Sequence, residues 1–294
     1  MTKRLDELCG LLDLEEIDLN IFRGQNERGQ LHRLFGGQVL AQALVAVGRT
    51  VENVMPHSLH GYFLRPGDPK MPVLYTVDRI RDGRSFTTRR VVGIQHGRAI
   101  FNMAASFHTP EEGYDHQVKM PEAPDPESLP TWMEQLRTHA DRVPDLKMRE
   151  KRGEPPIDFR FVNLPTYLGG NAGEDPNLIW LRAHGTVDAD DPLLHQCLLT
   201  YATDMSLIDT IVRHHAKRDR SATIAMAASL DHAVWFHRPV RADQWILYAQ
   251  DSPSASAGRG FARGSLFTQA GELIASVAQE GLIRAPRATP DVPG

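Results

Sequence analysis

Apolar and polar positions alternate along most of this chain, and the alternation is interrupted by two stretches whose apolar residues recur at helical spacing. Val39, Leu40, Ala43, Leu44 and Val47 predict a helix from about Gly37 to Arg49. Leu194, Cys197, Leu198, Tyr201, Met205 and Ile208 trace the stripe of a second helix, opened by Asp191-Pro192 as N-cap and first helical residue. Strands are predicted after the first helix at His57 to Leu64, Val73 to Arg79, Phe86 to Gln95 and Ala99 to Phe107, with Arg81-Asp82-Gly83 and Gln95-His96-Gly97 as turns. After the second they are predicted at Ala222 to Phe236, Trp245 to Asp251, Gly260 to Thr268 and Leu273 to Gly281. Neither half shows the strand-helix rhythm of a parallel sheet. The pattern predicts an α+β fold in duplicate, each copy an antiparallel sheet wrapped around one helix.

The two halves also share landmarks in register. Tyr62-Phe63-Leu64-Arg65-Pro66, Ser85-Phe86 and Gln95-His96-Gly97 recur as Trp235-Phe236-His237-Arg238-Pro239, Gly260-Phe261 and Gln269-Ala270-Gly271. Their offsets, 239 − 66 = 173, 261 − 86 = 175 and 271 − 97 = 174, are nearly constant. A fixed long period implies two copies of one structural unit that bury their sheet faces together. Between them Pro121-Glu122-Ala123-Pro124-Asp125-Pro126 reads as extended linker. The expected organisation is a first unit over 1–114, a linker over 115–156 with a short helix around Trp132 to Ala140, and a second unit over 157–294.

A chain of 294 residues with 41% apolar and 24% charged residues has the composition of an ordinary globular protein. A net charge of −4 with no long Lys/Arg cluster argues against nucleic acid as a partner. The short basic runs Lys147 to Arg152 and Arg213 to Arg220 read as solvated faces. Cys9 and Cys197 form neither a metal-ligand pattern nor a disulfide framework, which fits a reducing compartment. No secretory signal or membrane-length apolar run is present, and Thr289 to Gly294 carries no Ser-Lys-Leu address, so a cytoplasmic protein with a frayed tail is expected.

Five ordered segments then carry a resemblance: Phe35-Gly36-Gly37-Gln38, Phe63-Leu64-Arg65-Pro66-Gly67-Asp68, Ser229-Leu230-Asp231-His232, Trp235-Phe236-His237-Arg238-Pro239 and Gln279-Glu280-Gly281. Together they resemble the acyl-CoA thioesterase II, or TesB-type, family over nearly the whole chain. The resemblance implies a double hotdog fold and hydrolysis of fatty acyl-CoA without metal or organic cofactor. It also implies assembly as a homodimer or homotetramer.

Three residues match the family's catalytic positions. Asp204, in Tyr201-Ala202-Thr203-Asp204, lies three residues after Tyr201 and seven after Cys197, so a continuing helix would carry its carboxylate on the apolar stripe. A buried charge there has to be paired or used; alternatively the helix breaks near Thr203 and Asp204 caps a turn. Ser229 shares a strand face with Ala233 and Trp235 and offers a hydroxyl that both donates and accepts. No Gly-x-Ser-x-Gly elbow surrounds it, so a nucleophilic role is unsupported. Gln279 ends the apolar run from Leu273, with Ala275 and Val277 on its face. In the first copy the equivalent position, 279 − 174 = 105, is Ala105, so the pseudo-equivalent site there is expected to be inactive.

The expected chemistry is direct attack by a water that Asp204 activates and Ser229 and Gln279 hold. Backbone amides at Gly37 and Gln38, at a helix N-terminus, would polarise the thioester carbonyl; a tight strand-to-helix turn explains Gly36-Gly37 equally well. The pairs His57/His60 and His232/His237 have poor spacing for a metal. Gly258, Gly260 and Gly264 do not match a dinucleotide fingerprint. Two other readings stay open. One is an enoyl-CoA hydratase using Asp231 and His232, which adjacent positions on a strand would point to opposite faces. The other is an acyl-CoA-binding module with a degenerate site.

Overall fold

The computed structural model describes residues 2–27, 32–170, 176–215 and 226–284. In chain order the elements are α1 (Lys3–Leu12), β1 (Glu15–Asp18), β2 (Ile21–Gly24), α2 (Gly36–Gly48), β3 (Met55–Phe63), β4 (Val73–Asp82), β5 (Phe86–Gln95), β6 (Arg98–His108), α3 (Trp132–Thr138) and α4 (Leu146–Arg152). Then follow β7 (Ile157–Phe161), β8 (Asn177–Ala183), α5 (Pro192–Thr203), α6 (Leu207–Arg213), β9 (Met226–Ser229), β10 (Asp231–Phe236), β11 (Ile246–Ser256), β12 (Arg259–Thr268) and β13 (Leu273–Arg284). Among the described residues no helix is long and apolar enough to cross a membrane.

Among the described residues thirteen strands join one antiparallel sheet in the order β1-β2-β4-β5-β6-β3-β10-β13-β12-β11-β8-β7, with β9 added beside β13. The sequence offset makes β3, β4, β5 and β6 the counterparts of β10, β11, β12 and β13. The order therefore reads alike from either edge. The halves meet where β3 pairs with β10, from Tyr62↔Asp231 to Ser58↔Trp235, as two subunits would meet across a two-fold axis.

α2 and α5 are buried almost all round, Gly37 to Val47 in one and His195 to Thr203 in the other. A helix without a polar face needs apolar cover on every side, and the curved sheet plus the partner helix supplies it. The two helices run antiparallel in close contact. A Cβ on Gly37 would sit 2.4 Å from the Tyr201 carbonyl oxygen and one on Gly48 2.5 Å from Leu193, so glycine permits this approach.

Several sequence expectations are corrected. The second helix ends at Thr203: Met205 N–H bonds the Ala202 carbonyl and closes the last turn, Met205 is exposed, and Ile208 belongs to the separate α6. Strands β2 and β8 precede the central helices, where only strands following them were expected. The strand expected from Ala222 to Phe236 is divided at Leu230, and its first residues, 222–225, lie outside the described part. The linker helix stops at Thr138 and is joined by α4. Lys147 to Arg152 is solvated as expected, but Arg213 is buried, with its guanidinium on the Leu164 carbonyl at 3.0 Å. The rest of that basic run, 216–220, and the tail 289–294 lie outside the described residues.

The proline-rich stretch straps the outer face of the second half. Gln117 bonds both Gly271 O and Leu273 N, and Trp180 Nε1–H donates to Pro124 O at 2.9 Å. Met120, Ala123 and Leu129 pack on Trp180, Trp245, Leu247 and Phe267.

Candidate active site

Four elements converge beside the seam between the halves: the C-terminus of α5, the N-terminus of α2, β9 and β13. Asp204 is the C-cap of α5, with φ −79° and ψ −5°. The helix does break at Thr203, yet the carboxyl is buried rather than left in a solvated turn. The Ser229 hydroxyl donates to Asp204 Oδ1 at 3.2 Å, and Gln279 Nε2–H donates to Ser229 Oγ at 3.0 Å. The backbone N–H of Gly37 also donates to the Asp204 carboxylate. Burial pushes the Asp204 carboxyl up to about 7, against the opposing effects of the Ser229 hydroxyl, the Gly37 amide and the Arg33 charge.

Ser229 reaches this cluster because of a bulge. Ser229 pairs with Gly281 and Ala233 with Ala278, so four steps along one strand oppose three along the other. One extra residue reverses which face a side chain occupies. The expectation that Ser229 shares a face with Ala233 and Trp235 is thereby overturned: Ser229 turns inward to Asp204 while Trp235 is exposed. Leu230 fills the interruption, its N–H on Glu280 O and its C=O accepting from Phe63 N–H. Gln279 follows the expected alternation with Ala275 and Val277, all three buried.

Gln38 is not brought to this cluster by its side chain. Its amide lies 3.1 Å from Asn26 Oδ1, inside the loop that precedes α2. Asp231 and His232 diverge as adjacent strand residues should. Asp231 faces outward, 3.1 Å from His60 Nε2 and accepting from Glu280 N–H, whereas His232 is fully buried.

His232, which the sequence suggested only as a poor metal ligand or a hydratase group, has a different place in the structure. Its Nδ1 lies 2.5 Å from Gln279 Oε1 and its Nε2 3.0 Å from Thr203 Oγ1. The repeat carries the signal that would have found it: 232 − 173 = 59, and in the first half Leu59 pairs with Ala105 where the second half has His232 and Gln279. An apolar pair in one copy has become a buried polar pair in the other.

Asp204 and Ser229 open into a cavity of about 480 Å³. Its walls combine apolar groups from both halves, among them Val39, Phe63, Phe101, Ile208 and Met226, with Arg33 and Arg65 also lining it. A carboxylate and a hydroxyl at an apolar pocket with few polar groups is the form of a small-molecule site. Among the described residues no group of three His, Cys, Asp or Glu side chains is arranged to hold a metal.

Sequence comparison decides the family. The profile described as Acyl-CoA thioesterase matches residues 149–282, and that described as Acyl-CoA thioesterase N-terminal domain matches 26–108. The chain is 41% identical to acyl-coenzyme A thioesterase 8 of Mus musculus over 94% of its own length and 88% of that protein. The chain belongs to the acyl-CoA thioesterase family. It is also 38% identical to acyl-CoA thioesterase 2 of Haemophilus influenzae, covering 97% of this chain and 99% of that one. Among solved structures it resembles the family's acyl-CoA thioesterase II TesB2 from Mycobacterium marinum, with a TM-score of 0.77, 41% identity, and 96% and 99% of the two chains covered. A hot dog fold protein from Alicyclobacillus acidocaldarius superposes with a TM-score of 0.75 at 18% identity over 95% and 98% of the two chains. The double hotdog architecture expected from the sequence is therefore the observed one.

Proposed function

We propose that this protein hydrolyses fatty acyl-CoA thioesters to free acid and CoA, and that Asp204, Ser229 and Gln279 hold and activate the attacking water. The observation that carries the proposal is the buried Asp204 carboxyl, titrating near neutrality at the end of an apolar cavity with the Ser229 hydroxyl on it. A general base works best with a pKa close to the working pH.

The step balances simply. Water oxygen attacks the carbonyl carbon while its proton passes to Asp204; the tetrahedral intermediate collapses, the C–S bond breaks, and the CoA sulfur leaves with that proton. No acyl-enzyme forms and no cofactor is called on. Gly37 N–H serves Asp204 in the resting site, so within this proposal the Gln38 backbone amide is the first candidate for the developing oxyanion. The acyl chain would lie among Phe63, Phe101 and Val39, and Arg33 and Arg65 would face the anionic nucleotide portion of CoA.

The same proposal divides the chain into a unit over 1–114, a connection over 115–156 and a unit over 157–294 that holds the chemistry. The mirrored strand order supports this division. The unpaired Cys9 and Cys197 support a reducing, cytoplasmic setting. A homodimer or homotetramer belongs to the same reading; exposed Tyr62 and Trp235 on the paired central strands are surface that such an assembly could cover, and sedimentation would measure it.

Thiol release from a series of acyl-CoAs of different length tests the activity. Hydrolysis is expected to rise about tenfold per pH unit below neutrality and level off above pH 8, following ionisation of the base at about 7. A rate flat from pH 5 to 9 would remove Asp204 from that role. Gln279→Ala is expected to lower kcat by on the order of 10²-fold, because Ser229 loses its donor and the water a contact; unchanged kcat in a folded variant would contradict the triad. No turnover at any chain length would favour the binding-module reading.

A further inference from the structure

We propose that His232 is a positioning residue that, as the tautomer with its proton on Nδ1, holds the Gln279 amide in the one orientation that directs the Ser229 hydroxyl at Asp204. The proposal rests on reading Asp204 as the base.

Five side chains share too few protons to bond in more than one direction. An ionised Asp204 only accepts, so the single Ser229 proton goes to Oδ1 at 3.2 Å. Ser229 Oγ then accepts from Gln279, which must present its NH2 on that side, at 3.0 Å. Oε1 of the same amide is thereby turned toward His232 Nδ1, and an oxygen facing a ring nitrogen at 2.5 Å requires the nitrogen to donate. Burial holds His232 well below the usual histidine range, at about 4, so the ring is neutral and has one proton to give. Nε2 is left as a buried acceptor that needs a donor, so the Thr203 hydroxyl, which the geometry also allows onto Thr200 O at 2.9 Å, turns to Nε2 at 3.0 Å. The result is a one-way chain of donors: Thr203, His232, Gln279, Ser229, Asp204.

Nothing in packing alone calls for this arrangement. The first half closes the matching place with Leu59 against Ala105. A buried imidazole and amide are tolerated only when fully bonded, and they occur in the half that carries Asp204. His232 is not among the residues lining the cavity, and its Nδ1 stands 3.8 Å from Asp204 Oδ1, beyond hydrogen-bond reach, so it acts through Gln279 rather than on substrate.

Without the Nδ1 donor the amide is free to turn over and present Oε1 to Ser229. The hydroxyl would then donate to Gln279 and desert Asp204. Because the Ser229 bond holds the Asp204 carboxyl down, its loss raises that group further, and the acid limb of the rate profile moves to higher pH. The other groups bearing on this pair are Arg33 before α2, Tyr248 on β11, and Asp231 and His60 on the outer side of β10 and β3. All of them stay in place in the variants below.

The test compares purified full-length wild type with His232→Leu, His232→Asn, Thr203→Val and Asp204→Asn, reading kcat and KM for one acyl-CoA from pH 5 to 9. His232→Leu is expected to lose about 10–100-fold in kcat, the range seen when an orienting partner behind a ligand is removed. Its KM should stay within about twofold, with an acid limb shifted upward by about half a unit or more. His232→Asn places an NH2 where Nδ1–H stood and should recover most of the rate and the limb. A His232→Leu protein with wild-type kcat and an unmoved limb, beside an inactive Asp204→Asn, overturns the positioning role alone, as does a His232→Asn no better than His232→Leu. Full activity in Asp204→Asn overturns the site reading itself. If His232→Leu does not fold, two results decide. Thr203→Val, which deletes the hydroxyl donor to Nε2 together with its contact to Thr200 O, should lower kcat several-fold with the same direction of limb shift, and no effect overturns the proposal. In ¹⁵N spectra of wild type, the ring missing from His232→Asn should be protonated on Nδ1, and protonation on Nε2 overturns it.

Discussion

Asp204→Asn is expected to lower kcat by on the order of 10³-fold, the size of effect a general base commands, and to leave a protein that is more stable than wild type above neutral pH. Both effects have one cause. The folded carboxyl titrates at about 7 against an ordinary 3.8, because burial penalises the ionised form more than the Ser229 hydroxyl, the Gly37 amide and the Arg33 charge favour it. A pKa raised by folding means that the native state binds the proton more tightly than the unfolded chain. That contribution is fully present below about pH 4, falls as the pH rises, and is lost once the pH passes 7. Above 7 the buried carboxylate costs about 4 kcal/mol relative to a solvated one, at about 1.4 kcal/mol per pKa unit. Asparagine cannot titrate, so it removes this slope. It recovers only part of the energy, since one carboxylate oxygen is replaced by an NH2 that cannot accept and needs an acceptor of its own in a buried site. Thermal melts at pH 5 and 8.5 should show wild type losing more stability between the two than Asp204→Asn. Equal slopes, or hydrolysis by the variant at the wild-type rate, would contradict the assignment. The expected loss of rate and gain in stability together would mark Asp204 as a case of stability traded for activity.

Gly37→Ala is expected to destabilise the fold by on the order of 2 kcal/mol and to depress activity up to about 10²-fold, although alanine is the better helix former by about 1 kcal/mol. The sign is set by what the new methyl meets. At position 37 it would stand 2.4 Å from the Tyr201 carbonyl oxygen, which is backbone of α5 and cannot swing aside. α2 has to move away, carrying with it the amide that holds Asp204. At Gly36 the new methyl would instead meet Asp204 Oδ2 at 2.6 Å and the Phe63 ring at 2.9 Å, both ends of side chains. Gly36→Ala should therefore lose activity with less loss of stability, because the carboxylate is displaced while the helices stay packed. Urea melts together with kcat at pH 8 separate the two. A Gly37→Ala protein as stable and active as wild type would show that α2 and α5 tolerate a wider spacing than the glycine contact sets.

The residues alone determined a good deal. The internal offset of about 174 residues, carried by turns and aromatic landmarks, is local information, and it foretold the duplicated antiparallel architecture. Helix α2 was legible within a residue at each end, since an apolar stripe at helical spacing bounded by glycines has no competing reading. The ordered motifs were sufficient to indicate the family, and the resemblance then pointed to Asp204, Ser229 and Gln279, which the fold brings within hydrogen-bonding distance in sequence order reversed: Gln279 to Ser229 to Asp204.

Only the tertiary structure decided how those groups face one another. The alternation of a strand says which residues share a side only while its register holds, and one extra residue around Leu230 turned Ser229 from the outer face to the inner one. No composition or spacing marks that bulge, because it is defined by the partner strand β13, some fifty residues further on. The bonding partners of His232 were hidden for a related reason. On its own strand this histidine is one more buried position in an alternating run, and its role depends on an amide and a hydroxyl delivered by β13 and α5. The shifted acidity of Asp204 likewise comes from packing: a carboxyl at a helix end is ordinary in water, and here its pKa rises to about 7 because the other half of the chain closes over it with α2. Periodicity and turn chemistry are properties of neighbours in sequence, whereas desolvation, register and hydrogen-bond direction are properties of neighbours in space.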